Sequence, residues 1–266
     1  MLNLMANSIP SDISSILSEL SKLIDNEIIS EKEVEAKLFR AVLRSIIAES
    51  NFDNFNFDFS VFPDFLTLFE EVKESLFEIP HSITSPHFSE KFEIEGVIFC
   101  HLHTCKPDSK KIERAYTSYI KANEFLQILP KMKEITDKFF KGYLAKDGVI
   151  REYRGDKHTA WVFYSTMDDV FEDLDYHLRI AERLNGRYCI VVPVEKTPKN
   201  FINFFREHSE EAKKAGLRIW VVNPERGTID PFIGYPKDLN LIKNFHNPRI
   251  ASIISSFWRA EVKELD

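Results

Sequence analysis

The chain has 266 residues, 44% hydrophobic and 29% charged, which excludes a disordered or fibrous protein and allows one large domain or two small ones. No apolar run approaches the ~20 residues of a membrane helix, and MLNLMANSIPSD lacks the basic-then-apolar order of a signal peptide. Three cysteines, Cys100, Cys105 and Cys189, make no disulfide framework, so the expectation is a soluble, cytoplasmic protein without a membrane partner.

Charge is unevenly spread. Of the 35 basic and 42 acidic residues, 6 and 16 fall in 1–90, leaving 29 and 26 for the rest, or −10 against +3. A nucleic acid is repelled by the first part and tolerated by the second.

Along the chain, Ile13, Ile16, Leu17, Leu20 and Leu23 recur at helical spacing, as do Val34, Leu38, Ala41, Val42 and Ile46. Ser30 and Glu33 form a capping box before the second run. In NFDNFNFDFSVFPDF, Phe55, Phe57 and Phe59 alternate with polar residues, which predicts a short strand or extended loop with one aromatic side. Helix returns over 64–78. EIPHSITSPH, residues 78–87, has the composition of a linker and coincides with the change in charge.

A strand is expected over 92–104. A helix then carries Ile112, Ala115, Tyr116, Tyr119, Leu126 and Leu129, which Pro130 should end or kink, and further helix runs to about Leu144. VIREY and HTAWVFYS read as two strands joined by RGDK. Phe171, Leu174, Leu178, Ala181 and Leu184 mark a helix stopped by Asn185-Gly186. YCIVVPV is apolar enough for a strand covered on both faces. Thr197 as cap and Pro198 as first residue open a helix with Phe201, Phe204, Phe205, His208 and Ala212 on one side, ending at Gly216. LRIWVV closes a strand-helix-strand crossover. The expected fold is α/β, a mixed sheet with flanking helices, preceded by a mostly helical, acidic region: 1–88 and 89–266.

CHLHTC, residues 100–105, concentrates ligand-type side chains. On a strand His101, His103 and Cys105 share one face, where two imidazoles can grip one ion and Cys105, His81 or His87 can supply a third donor. The competing expectation is an ordinary strand end. HLHT with the following PDS is similar to the opening motif of the polymerase-and-histidinol-phosphatase phosphoesterases, but Phe99 stands where that motif has an acid, and no Asp-x-His follows.

Residues 145–223 resemble the core of the restriction-endonuclease-like superfamily, known by its PD-(D/E)XK motif, in the succession of two strands, DLDYHLRIAERLNGR, YCIVVPVE, a helix and IWVV. The resemblance implies a metal-binding Asp after the first strand and a Glu-x-Lys on the next, which together hold a divalent ion beside a scissile phosphate. Asp156 or Glu152 falls at the first place. WVFYS, Trp161 to Ser165, falls at the second and has neither acid nor lysine. Asp168 and Asp169 lie just beyond and can serve as displaced ligands or as acids favoured at a helix N-terminus. Glu195 and Lys196 lie at a strand's carboxyl end, where open α/β sheets place ligands or simply meet solvent.

The implied protein is a nuclease-like fold that has lost its catalytic set and acts as a binding module. Nucleic acid would meet Arg151, Arg154 and Lys157 at the hairpin and Lys131 and Lys138 on the preceding helix, among Lys133 and Lys141, with Trp161 or Tyr164 for stacking. A protein partner would meet the acidic, Phe-rich N-terminal region. No cofactor is expected. The alternatives are a phosphodiesterase using magnesium, manganese or zinc at His101, His103 and nearby carboxylates, and an assembly subunit docking through 52–69. With 8 glycines and neither GxGxxG nor GxxxxGK[ST], the chain has no standard nucleotide-binding loop.

Overall fold

The computed structural model describes residues 13–24, 28–49, 65–77, 90–101 and 108–248. The linker 78–87, the boundary at 88/89, and the Phe-rich segment up to its last residues lie outside them. The architecture is mixed α/β, with two sheets in two compact units, Met1–Gln127 and Ile128–Asp266.

In the first unit, α1 (Ile13–Leu23) packs on α2 (Glu31–Glu49), which also touches α3 (Phe65–Phe77). Ile16, Leu20 and Leu23 of α1 and Val34, Leu38, Ala41, Val42 and Ile46 of α2 are buried, so the helical stripes in the sequence are core stripes. Ser30 Oγ accepts from the backbone N–H of Glu33 at 3.2 Å, the first half of the expected capping box. The Glu33 carboxylate turns down its own helix to Lys37, whose Nζ also donates to the Leu23 carbonyl at the end of α1.

The expected single strand over 92–104 is a hairpin instead. β2 (Glu90–Ile94) and β3 (Val97–His101) pair antiparallel, and β1 (Ile28–Ser30) adds to the other side of β3. Glu95 and Gly96 both take positive φ, 51° and 82°, the geometry a two-residue hairpin turn needs. Gly96 was the signal, hidden because apolar residues continue on both sides. Phe92 stacks on Phe99 at 5.9 Å, and Phe99 meets Tyr116 and Tyr119 of α4 (Ser109–Phe139).

The helix α4 begins in the first unit and ends in the second, running through Pro130, which neither ends it there nor leaves helix up to Leu144. An interior proline costs about 3 kcal/mol. Met132, Ile135 and Phe139, buried on the turns of α4 that follow, offset that cost.

The second unit holds a six-stranded sheet in the order β4-β5-β6-β7-β8-β9. Its strands are β4 (Leu144–Lys146), β5 (Arg151–Arg154), β6 (Thr159–Tyr164), β7 (Tyr188–Pro193), β8 (Ile219–Asn223) and β9 (Thr228–Ile233). β6, β7 and β8 run parallel and the outer pairs antiparallel. β7 is buried on both faces, as its unbroken apolar run implies. Around Trp220 of β8 close the rings of Phe139, Phe140 and Phe245. At the outer edges, β4 is three exposed residues, while the Ile229 carbonyl of β9 accepts from the His246 N–H and the Asp230 carboxylate from the Asn247 N–H.

The helix expected over 171–184 is two: α5 (Met167–Glu172) and α6 (Leu174–Arg183), broken at the buried Asp173. The buried stripe of α6 is Leu174, His177, Ile180 and Ala181, with Leu178 half-buried. A histidine takes a core position because its Nδ1 lies 2.8 Å from the Tyr188 hydroxyl. Asn185 and Gly186 both take the left-handed conformation that stops α6. The next helix, α7 (Lys199–Ala215), starts one residue later than expected: Pro198, not Thr197, is the N-cap, and no side chain caps it. A short α8 (Leu239–Ile242) follows β9. At Gly155, in the β5–β6 turn, an added Cβ would lie 2.5 Å from the Tyr143 ring, so a side chain there requires that ring to move.

Candidate functional site

Polar chemistry in the second unit gathers at three places on the six-stranded sheet. The first is where α4 covers β5 and β6. Alternation along β5 sends Arg151 and Tyr153 to one side. There Arg151 donates through Nε and Nη2 to the two oxygens of Asp137, both at 3.1 Å, and Tyr153 donates to Asp137 Oδ1 at 2.6 Å. The Tyr153 hydroxyl also lies 3.4 Å from that of Tyr164, and Arg151 reaches Asp147 as well.

Burial governs this network. It raises the Tyr164 phenol to about 12 and Tyr153 further, so both remain neutral donors. Burial opposes the Arg151 charge too, but Tyr153, Asp147 and Asp137 outweigh it and hold the guanidinium above the ordinary arginine value. Nearby Lys133 is lowered, first by burial and also by Arg151. A forked arginine on a carboxylate is a strong, geometrically fixed pair. This set pins helix to sheet.

The second place is the carboxyl end of the parallel strands. Asp168 opens α5 and Glu195 follows β7. Asn200, in the first turn of α7, donates through Nδ2 to both, at 3.0 Å to Asp168 and 3.4 Å to Glu195. Glu195 is raised by burial, with Asp168 adding to it. Asp169 serves its own helix: Thr166 Oγ1 accepts from its N–H and donates to its carboxylate at 2.7 Å. Glu152 faces away from the Asp137 network and pairs with Arg154 at 2.9 Å, and Asp156 is exposed in the turn.

A magnesium site of the restriction-endonuclease kind does not fit these residues. Glu152 lies on β5 and Asp156 in the β5–β6 turn, Asp168 and Asp169 sit in the first turn of α5, and Trp161, Val162, Phe163, Tyr164 and Ser165 are all buried, at 9% exposure or less. Among the described residues no three His, Cys, Asp or Glu side chains are grouped to hold an ion. His101 is fully buried at the end of β3, and burial raises the neighbouring Cys100 thiol to about 11. His103 and Cys105 lie outside the described residues, as do His81 and His87.

The third place is the set of cations. Lys131 and Lys138 both bind Glu134, at 2.8 and 2.5 Å, and their hydrogen bonds hold that carboxyl down at about 2. Arg151 is occupied by Asp137 and Asp147. Trp161 is buried beneath the Arg187 guanidinium, 5.0 Å from its ring centre, and Tyr164 is buried in the network, so neither ring offers a face for stacking. Arg154 and Lys157 are exposed at the hairpin turn.

Sequence reasoning missed Asp137 and Asn200, the residues that join others together. Asp137 reads as one more charge on a charged helix; its only signal is the i+4 spacing from Lys133. Asn200 is a neutral residue in a helix start. Arg187 and Arg218 were missed because each is a single basic residue ahead of an apolar strand.

No helix among the described residues is long and apolar enough to cross a membrane. Comparison with curated proteins finds no match. Residues 15–116 match a family described as a domain of unknown function (DUF6846). Residues 118–247, which contain the whole six-stranded sheet, match the C-terminal domain of a second family, described as a domain of unknown function (DUF6834).

Proposed function

We propose that the domain spanning 118–247 is a nucleic-acid-binding module built on a nuclease-like sheet without a working catalytic set. The observation that supports it is the burial of Trp161 to Ser165, where the resemblance requires an ion-gripping acid and a lysine. An apolar core strand cannot be a metal ligand, and phosphodiester hydrolysis by this kind of site depends on the metal. The carboxylates in reach serve other ends: Asp169 caps α5, Glu152 neutralises Arg154, and Asp168 and Glu195 share Asn200. Binding without cleavage remains as the use of such a sheet, and the second unit lies in the part of the chain whose charge balance tolerates a polyanion.

The test uses the full chain with labelled single- and double-stranded DNA and RNA, with and without magnesium or manganese. The expected result is binding that weakens steeply between about 50 and 200 mM salt, with no cleavage. Metal-dependent cleavage lost in Asp168→Asn overturns the non-catalytic reading. Absence of binding at the lowest salt overturns the nucleic-acid reading.

A further inference from the structure

The amino ends of β6, β7 and β8 lie along one edge of the six-stranded sheet. Parallel registers align Trp161 with Tyr188 and Ile190 with Ile219, and the antiparallel neighbours bring Arg154 of β5 and the residues after Ile233 of β9 to the same edge. Lys157 stands in the β5–β6 turn, Arg187 immediately before β7, and Arg218 immediately before β8. Lys214 is in the last turn of α7. The loops ahead of β7 and β8 are packed together: a Cβ on Gly216 would lie 3.5 Å from the Gly186 Cα, and one on Gly186 would meet Arg218 Nη2 at 3.3 Å.

These four cations differ from the ones on α4. Among the described residues none of them has a carboxylate partner. Arg187 is exposed, donates to the Leu184 carbonyl and covers Trp161, while Arg218 is half-buried, and burial lowers its guanidinium, partly opposed by the neighbouring Cys189. Acids are present around them, Asp156 in the turn and Glu210 and Glu211 one turn before Lys214 on α7, but none forms an ion pair with the four, and Asp238 is engaged by the Tyr143 hydroxyl at 2.7 Å. The helix dipole accounts for Lys214 at the end of α7. Arg187 has the same explanation at the end of α6, where it bonds the C-cap carbonyl of Leu184, but a helix end does not account for Lys157 in a turn.

Neighbouring strands are about 4.8 Å apart, so cations from successive strand ends form a row rather than a cup. A row suits a linear polyanion, such as a nucleic-acid strand with one charge per ~3.4 Å, better than a small discrete anion. Tyr235, two residues past β9, is 40% exposed at the same edge and offers a ring to a base.

We propose that this edge is where the module holds a nucleic-acid strand, with Lys157, Arg187, Lys214 and Arg218 on its phosphates and Tyr235 against a base. The proposal rests on the nucleic-acid reading above and moves the contact away from Arg151, Lys131 and Lys138.

The experiment measures fluorescence anisotropy of a labelled single strand of roughly 16 nucleotides with the full chain across a salt series. Lys157→Glu with Lys214→Glu, both exposed positions, is expected to weaken binding about ten-fold or more and to flatten the salt slope by roughly 0.7 per lost contact. Tyr235→Ala should weaken the single strand more than a duplex. Lys131→Glu with Lys138→Glu should change little. If the α4 pair weakens binding and the edge pair does not, the edge is wrong while the module still binds nucleic acid. If the wild-type chain binds no strand at low salt, the underlying reading falls and this one with it. Equal affinity for heparin and for polyglutamate of matched charge overturns nucleic acid as the occupant.

Discussion

At the carboxyl ends of β6 and β7, Asp168 and Glu195 share one amide and Asp169 bonds its own cap; at the amino ends, Lys157, Arg187, Lys214 and Arg218 form no ion pair among the described residues. The same contrast separates those four from Lys131, Lys138 and Arg151, which are held by Glu134, Asp137 and Asp147. A count of basic residues therefore says little about where a surface is positive. What decides it is which cations fold leaves without an acid, and that depends on side chains brought in from other elements.

The largest effect expected concerns the strand between the two ends. Phe163→Ala should cost about 3–5 kcal/mol of unfolding free energy in a denaturant titration, because the ring is 1% exposed and packs on His177. A loss under 1 kcal/mol would mean that WVFYS is not core, and the case against a site there would weaken. Asp137→Ala should cost about 2 kcal/mol, read as a lowered calorimetric midpoint. It leaves Arg151 and the Tyr153 hydroxyl short of their acceptor, with the cost discounted because Asp137 is itself 42% exposed.

Glu134→Gln sharpens the comparison directly. It releases Lys131 and Lys138 and should strengthen binding to a single strand by about two- to three-fold at low salt. Unchanged affinity would show that pairing is not what silences those lysines. The smallest effect is at Glu195. Burial, then Asp168, raises its carboxyl, so the charged form opposes folding. Its contribution to stability is present in acid, below the ordinary carboxylate value, and disappears as pH rises through its raised value. Glu195→Gln should therefore stabilise the protein at neutral pH by no more than about 0.5 kcal/mol after solvent screening, and by nothing near pH ~3. An equal gain at both pH values would refer the effect to packing.

Much of the fold was legible because burial repeats at the period of the backbone. The stripes of α1 and α2, the apolar β7, the hairpin β5–β6 and the left-handed stop at Asn185-Gly186 all follow from local pattern. Where local pattern failed, a distant contact had changed the balance. Pro130 does not end α4, whose following turns bury large side chains, and His177 sits in the core because Tyr188, on another element, supplies a partner. The hairpin at Glu95-Gly96 was lost because a polar turn of two residues barely interrupts an apolar stretch.

The site was less legible than the fold for the same reason. Arg151 was visible as a cation, but its neutralisation by Asp137 and Asp147 involves two separate segments. Glu195 and Asp168 were visible as acids, but only Asn200 unites them, and asparagine near a helix start carries no distinctive mark. The row of cations at the amino edge is assembled one residue at a time from a turn, two strand starts and a helix end. No window of sequence contains it.

Open sheets invite a second copy to continue the ladder, and both margins of this one are ill suited to that. On one margin, β4 is only three residues long and ends in Lys146; on the other, the backbone at His246 has claimed the outward carbonyl of Ile229. Polymerisation by strand addition thus finds too short a template at one end and a blocked acceptor at the other.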